Sequence, residues 1–129
     1  MTTSTLALIA APPDTLRYSL QALLARLPQI DSVQSVEDTR SMLAVLPAAQ
    51  PQLVVLDVDL LDSEARPVLA LINGITPRAR TVVLVDYVEQ QQALQTASVD
   101  LVLLKGYPAA ELFASIERLL SQDNPDAGL

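Results

Sequence analysis

The side chains in this sequence that could do chemistry are carboxylates and one well-placed amine. Asp57, Asp59 and Asp62 follow directly on Leu53-Val54-Val55-Leu56, Asp86 follows Val82-Val83-Leu84-Val85, and Lys105 follows Leu101-Val102-Leu103-Leu104. Asp14 lies just beyond a further apolar run, Leu6-Ala7-Leu8-Ile9. Such runs are too short for ordinary helices and read as strands buried on both faces, which places the acids and the Lys at strand carboxyl ends. In an open α/β sheet the strand-to-helix connections open at that edge, so ligands and reactive groups gather there. A carboxylate beside one Lys serves either as a structural ion pair or as a nucleophile, and charge alone does not separate the two. Asp57 is the first residue to question.

Composition narrows the chemistry further. With no Cys and no His among 129 residues, disulfides, thiol catalysis, imidazole acid–base chemistry and most zinc sites drop out. A metal would have to be a hard ion held by oxygens. The formal net charge is -7, and the eight Lys and Arg residues are scattered, which argues against a surface for a phosphate backbone. No direct nucleic-acid partner is expected. No apolar run approaches the ~20 residues that cross a bilayer. The start, Met1-Thr2-Thr3-Ser4-Thr5, lacks the basic residues of a secretory signal, so a soluble cytoplasmic protein without membrane contact is the expectation.

The glycines are equally informative. There are three, Gly74, Gly106 and Gly128, and none lies between the first strand and the first helix. A phosphate-cradling loop needs backbone N–H groups with no Cβ in the way, whereas Ala11-Pro12-Pro13 offers bulk and two missing donors. Dinucleotide, P-loop and flavin mononucleotide binding are disfavoured on that ground.

The elements that position the acids can be read in order. Thr5 to Ala10 is a strand closed by Pro12 and Pro13; Leu16, Leu20, Leu23, Leu24 and Leu27 form the stripe of a helix ended by Pro28. Asp31 to Val36, partly polar, reads as an edge strand, and Asp38 caps a helix carrying Met42, Leu43 and Leu46. After the third strand, a helix runs from about Glu64 to Asn73, with Pro67 in its first turn and Gly74 placed to end it. Thr81 to Val85 is a strand, and a Gln-rich helix from about Glu89 to Ala97 follows, its Gln90-Gln91-Gln92 run read as a solvated face. Leu101 to Leu104 is the last strand, and Pro108 opens a helix lined by Leu112, Phe113, Ile116, Leu119 and Leu120. Residues 1–121 form one domain, and 122–129 a loose polar tail. Five alternations of strand and helix with short connections predict a five-stranded parallel sheet, order 2-1-3-4-5, a doubly wound α/β fold of flavodoxin type with five helices.

These features carry a resemblance. The five-fold strand–helix order, Pro51-Gln52-Leu53-Val54-Val55-Leu56-Asp57, and Ala97-Ser98-Val99-Asp100-Leu101-Val102-Leu103-Leu104-Lys105-Gly106 resemble the receiver domain of bacterial two-component response regulators over nearly the whole chain. The Leu104-Lys105-Gly106 ending and the Leu16-Arg17 to Leu23-Leu24 segment are most similar to receivers that precede helix-turn-helix output domains. The resemblance implies a third-strand Asp that accepts a phosphoryl group from a histidine kinase, two acids after the first strand that hold Mg²⁺, a Thr or Ser ending the fourth strand, and a fifth-strand Lys. Asp57 matches the phosphoacceptor position and Lys105 the phosphate-contact position. The chain departs elsewhere: Ala11 and Pro12 replace the acidic pair, Val85 the hydroxyl, Val102 a frequent aromatic, and Leu61 a frequent Pro.

Phosphoryl transfer is catalysed mainly by positioning and by cancelling oxygen charge, so these losses remove most of its means. Asp59, Asp62 and Asp14 are the oxygen donors left for a cation, and Mg²⁺ demands near-octahedral geometry that they are poorly placed to give. The expectation is a degenerate receiver, or pseudo-receiver, without cofactor or enzymatic activity. It would act by protein–protein contact with a histidine kinase or output protein, or as a homodimer through the fourth or fifth helix. The alternatives are a receiver still phosphorylated at Asp57 and a small α/β enzyme using Asp57 with Lys105.

Overall fold

In the computed structural model, which describes residues 5–61, 65–76, 79–94 and 99–121, the centre of the molecule is β3 (Leu53–Asp57), every residue of which is buried. Around it lie β1 (Leu6–Ala10), β2 (Ser32–Val36), β4 (Arg80–Val85) and β5 (Leu101–Leu104), all paired in parallel in the order β2-β1-β3-β4-β5. The expected topology is the observed one. β3 is central because Leu53, Val54, Val55 and Leu56 give each sheet face two large apolar side chains, and full burial of each contributes roughly 1.5–3 kcal/mol.

Five helices return the chain across the sheet: α1 (Thr15–Ala25), α2 (Thr39–Ala49), α3 (Ala65–Ile75), α4 (Val88–Leu94) and α5 (Ala109–Ser121). Two cores result. Leu20 and Leu24 of α1 meet Leu112, Ile116 and Leu119 of α5 over Ile9, Val55 and Leu84. On the other face Met42 and Leu46 of α2, Leu69 and Ile72 of α3 and Leu94 of α4 cover Leu8, Val54, Leu56 and Val83. The alternation of side chains along each strand supplies both faces at once, as a doubly wound sheet requires.

Local chemistry sets the boundaries, in places against expectation. Asp14 and Asp38 cap α1 and α2 by accepting the backbone N–H of Arg17 and Ser41. Helix α1 stops at Ala25, before Pro28, and Leu27 reaches the core from the following turn through its N–H bond to the Leu24 carbonyl (3.1 Å). Gly74 does not end α3; the helix runs to Ile75, where Thr76 satisfies the Ile72 carbonyl with both its N–H (2.8 Å) and its hydroxyl (2.9 Å). The left-handed cap belongs instead to Gln50 (φ 42°, ψ 60°), which ends α2. Its amide nitrogen lies within hydrogen-bond reach of the carbonyls of Pro47 (3.2 Å) and Ile75 (3.3 Å), tying the ends of α2 and α3 together.

The Gln run of α4 is not a solvated face throughout. Gln90 Oε1 accepts the N–H groups of Asp86 (2.8 Å) and Tyr87 (3.0 Å), and Gln91 Nε2 donates to the Val102 carbonyl on the outer strand β5 (3.0 Å). Of the three glutamines only Gln92 is exposed. The expected extension of α4 to Ala97, the start of α3 at Glu64 and the tail 122–129 lie outside the described residues.

Candidate functional site

The polar site is assembled where β3, β4 and β5 end. Asp57 is the last residue of β3, and its Oδ1 accepts the N–H of Asp59 (2.9 Å) as the chain enters a single 3-10 turn, Val58–Leu60. Lys105 follows β5, its backbone N–H bonded to the Val85 carbonyl at the end of β4 (2.9 Å), so its stem lies over the sheet edge. From there Nζ reaches Asp57 Oδ1 at 2.5 Å, Asp59 Oδ2 at 2.9 Å and Asp86 Oδ1 at 3.1 Å. The structure thus brings four of the sequence-predicted residues together. Asp14 is engaged as the cap of α1, and Asp62 lies outside the described residues.

Burial grades the cluster. Asp57 is 1% exposed, Lys105 16%, Asp86 32% and Asp59 56%. Asp57 Oδ2 is buried with no hydrogen-bond partner. Burial therefore pushes the Asp57 carboxyl above the usual carboxylate range, against the opposing pull of Lys105 and of the Asp59 N–H. Asp59 is shifted the other way, held low by its bond to Lys105. For Lys105 burial disfavours the charge, but its three carboxylate partners outweigh that and hold the ammonium above its ordinary range. Three acids share one cation, and the most buried acid bears the cost.

The end of β1 is of the opposite character. Ala11 is fully buried, its N–H bonded to the Val36 carbonyl (3.1 Å), and Pro12 accepts the N–H of Asp14 (2.8 Å). Val85, Val102 and Leu61 are buried in the apolar core. The residues present do not fit a magnesium ion: the chain leaves β1 through a core-packed methyl group and a pyrrolidine ring, neither of which offers a side-chain oxygen. The oxygens of Asp57, Asp59 and Asp86 already converge on an ammonium. Among the described residues no group of three or more acidic side chains is arranged to hold a metal ion.

Sequence reasoning placed Lys105 beside Asp57 or Asp86 but treated Asp59 only as a weak metal candidate; the structure makes it the third partner. It also missed Gln90, which fixes the turn bearing Asp86. The spacing of Gln90 to Tyr87, three residues, is that of the back-bonding half of a capping box and was the available signal.

No known protein-family profile matches this sequence, and no curated protein matches it. Solved structures do. The chain is similar to a two-component response regulator of the LuxR family from Aurantimonas sp. SI85-9A1, with a TM-score of 0.77 and 20% identity over 96% of this chain and 92% of that one. It is similar to a CheY-like response regulator receiver domain protein from Methanospirillum hungatei JF-1, with a TM-score of 0.75, 18% identity and coverage of 92% and 94%. The isolated REC domain of RcsB from Salmonella enterica serovar Typhimurium, solved in the presence of the phosphomimetic BeF3-, gives a TM-score of 0.80 at 14% identity, covering 95% and 92%. None of the described helices is long and apolar enough to cross a membrane. With its strand order, its two helical layers and these structural neighbours, the chain has the fold of response regulator receiver domains.

Proposed function

We propose that this chain is a pseudo-receiver: a receiver-like signalling module that acts through protein–protein contact, is not an enzyme, and does not depend on Mg²⁺ or on phosphorylation of Asp57. The observation that carries this reading is the position of the Lys105 ammonium among the carboxylates of Asp57, Asp59 and Asp86, with Asp57 itself 1% exposed. A phosphoryl donor needs access to a carboxylate oxygen and a means of cancelling the charge on the transferred group. Here Oδ2 is enclosed, Oδ1 is bonded to Lys105 and to the Asp59 N–H, and Ala11, Pro12 and Val85 supply no compensating donor or metal ligand.

Incubation with a small acyl phosphate and Mg²⁺, followed by intact mass measurement, tests the reading. The expected spectrum shows the unmodified mass alone. A gain of one phosphoryl group, lost in Asp57→Asn, would establish the alternative of a phosphorylatable receiver. The partner is a protein, of histidine kinase or output type, or a second copy engaged through α4 or α5; no nucleic acid or membrane is involved. Exposed Tyr87 and Val88 at the start of α4 support that surface. Sedimentation at micromolar concentration showing only monomer would remove the second-copy partner.

A further inference from the structure

Lys105 does more than neutralise Asp57. Its three partners lie on different connections: Asp57 and Asp59 where β3 turns toward α3, and Asp86 between β4 and α4. Lys105 itself opens the connection from β5 to α5. An ammonium has three N–H donors and no acceptor, and three carboxylate oxygens stand between 2.5 and 3.1 Å from it, that of Asp59 as a hydrogen bond and those of Asp57 and Asp86 as ion pairs. Bonds of this charged kind are roughly twice as strong as neutral ones, and moving either turn away from Lys105 breaks at least one. The β4–α4 turn is gripped from its other side by Gln90, which holds the N–H groups of Asp86 and Tyr87. On that turn stand Tyr87 and Val88, 65% and 50% exposed.

We propose that Lys105 is a built-in latch. It clamps the β3–α3 and β4–α4 connections into one arrangement and so fixes the presentation of Tyr87 and Val88 without any diffusible ligand. The proposal deepens the pseudo-receiver reading and rests on it, because an edge rearranged by a phosphoryl group would not stay latched. Lys105 is a positioning residue here, acting on the α4 surface through Asp86.

Hydrogen exchange of the full chain, read by mass spectrometry segment by segment, tests the latch in Lys105→Met and Asp86→Ala. In Asp86→Ala, exchange over residues 86–90 is expected to rise about tenfold, as loss of a charge-assisted bond to a local opening unit implies, while β1 and β3 keep their protection. In Lys105→Met the rise extends to residues 58–61 as well. Unchanged exchange over 86–90 in a folded Asp86→Ala protein overturns the proposal, and so does a uniform rise across the whole chain, which marks general destabilisation. Should Lys105→Met fail to fold, Asp86→Ala decides alone. Phosphorylation of the wild type would remove the pseudo-receiver reading and leave the exchange result standing; unaltered exchange would remove the latch and leave that reading intact.

Discussion

The two halves of the sheet's carboxyl edge were built by the same rules and ended differently. At β1 the chain leaves the sheet through Ala11 and Pro12, a buried methyl and a ring. At β3, β4 and β5 it leaves through Asp57, Asp86 and Lys105, both carboxylates lying within 3.1 Å of the Lys105 Nζ. The strands themselves are alike, each built on an apolar run. Fold is carried by the apolar residues inside the strands, and chemistry by the residues at or just past their carboxyl ends. The first can persist while the second is replaced.

The largest effect should come from removing the cation that balances the polar half. Lys105→Met leaves Asp57 buried without its partner, and breaking a buried pair from one side costs about 3 kcal/mol. Chemical denaturation at neutral pH measures it. Because the Lys105 pKa is raised, its contribution is fully present below the ordinary Lys value of 10.5, so the deficit should not vary between pH 6 and 9 on its account (roughly). A loss of a few tenths would mean that the polar half does not need its cation.

Next in size is the attempt to make the apolar half polar. Ala11→Asp places a carboxylate at a fully buried position and should cost about 2 kcal/mol or more in the same assay. A variant as stable as the wild type would show that the β1 end has room for an acid, and would blur the contrast between the halves.

The smallest effect should follow Asp57→Asn. The folded-state pKa of Asp57 is raised, so the native state binds the extra proton, and stability falls as pH rises from the ordinary value of 3.8 through the shifted one. Asn escapes that loss. The variant should match the wild type near pH 3.8, then equal or exceed it at neutral pH by up to about 1 kcal/mol, with partner binding retained. A clear loss of stability at neutral pH would mean that the Lys105 contact outweighs the burial of the charge.

Much of this was legible from residue order. Leu53 to Leu56, Val82 to Val85 and Leu101 to Leu104 are unbroken apolar runs, and nothing but a strand covered on both faces suits them. Burial of Leu20, Leu24, Leu112, Ile116 and Leu119 follows from helical spacing alone. Less legible was anything that depends on what a side chain meets across the fold. Lys105 and Asp59 are 46 positions apart, and no local pattern says that Asp59 turns toward the ammonium rather than toward water. Gly74 seemed the natural stop for α3 because glycine suits a left-handed cap, yet Thr76 could close that helix by itself while Gln50 adopted the strained conformation in α2. The Gln run misled for a related reason: an amide at Gln91 is hydrophilic, but it is also long enough to reach a carbonyl on β5.

That last contact bears on how the molecule behaves in a crowd. A sheet with two open margins invites a foreign strand at either one, and growth by such addition is how native proteins begin to aggregate. On the β5 margin the side chain of Gln91 already occupies the Val102 carbonyl, so an incoming strand must displace it. On the β2 margin the defence is compositional, with Ser32 and Gln34 turned outward on a strand of only five residues. Replacing Gln91 with an apolar residue would unseal the β5 margin, and the protein's tolerance of high concentration should fall before its stability does.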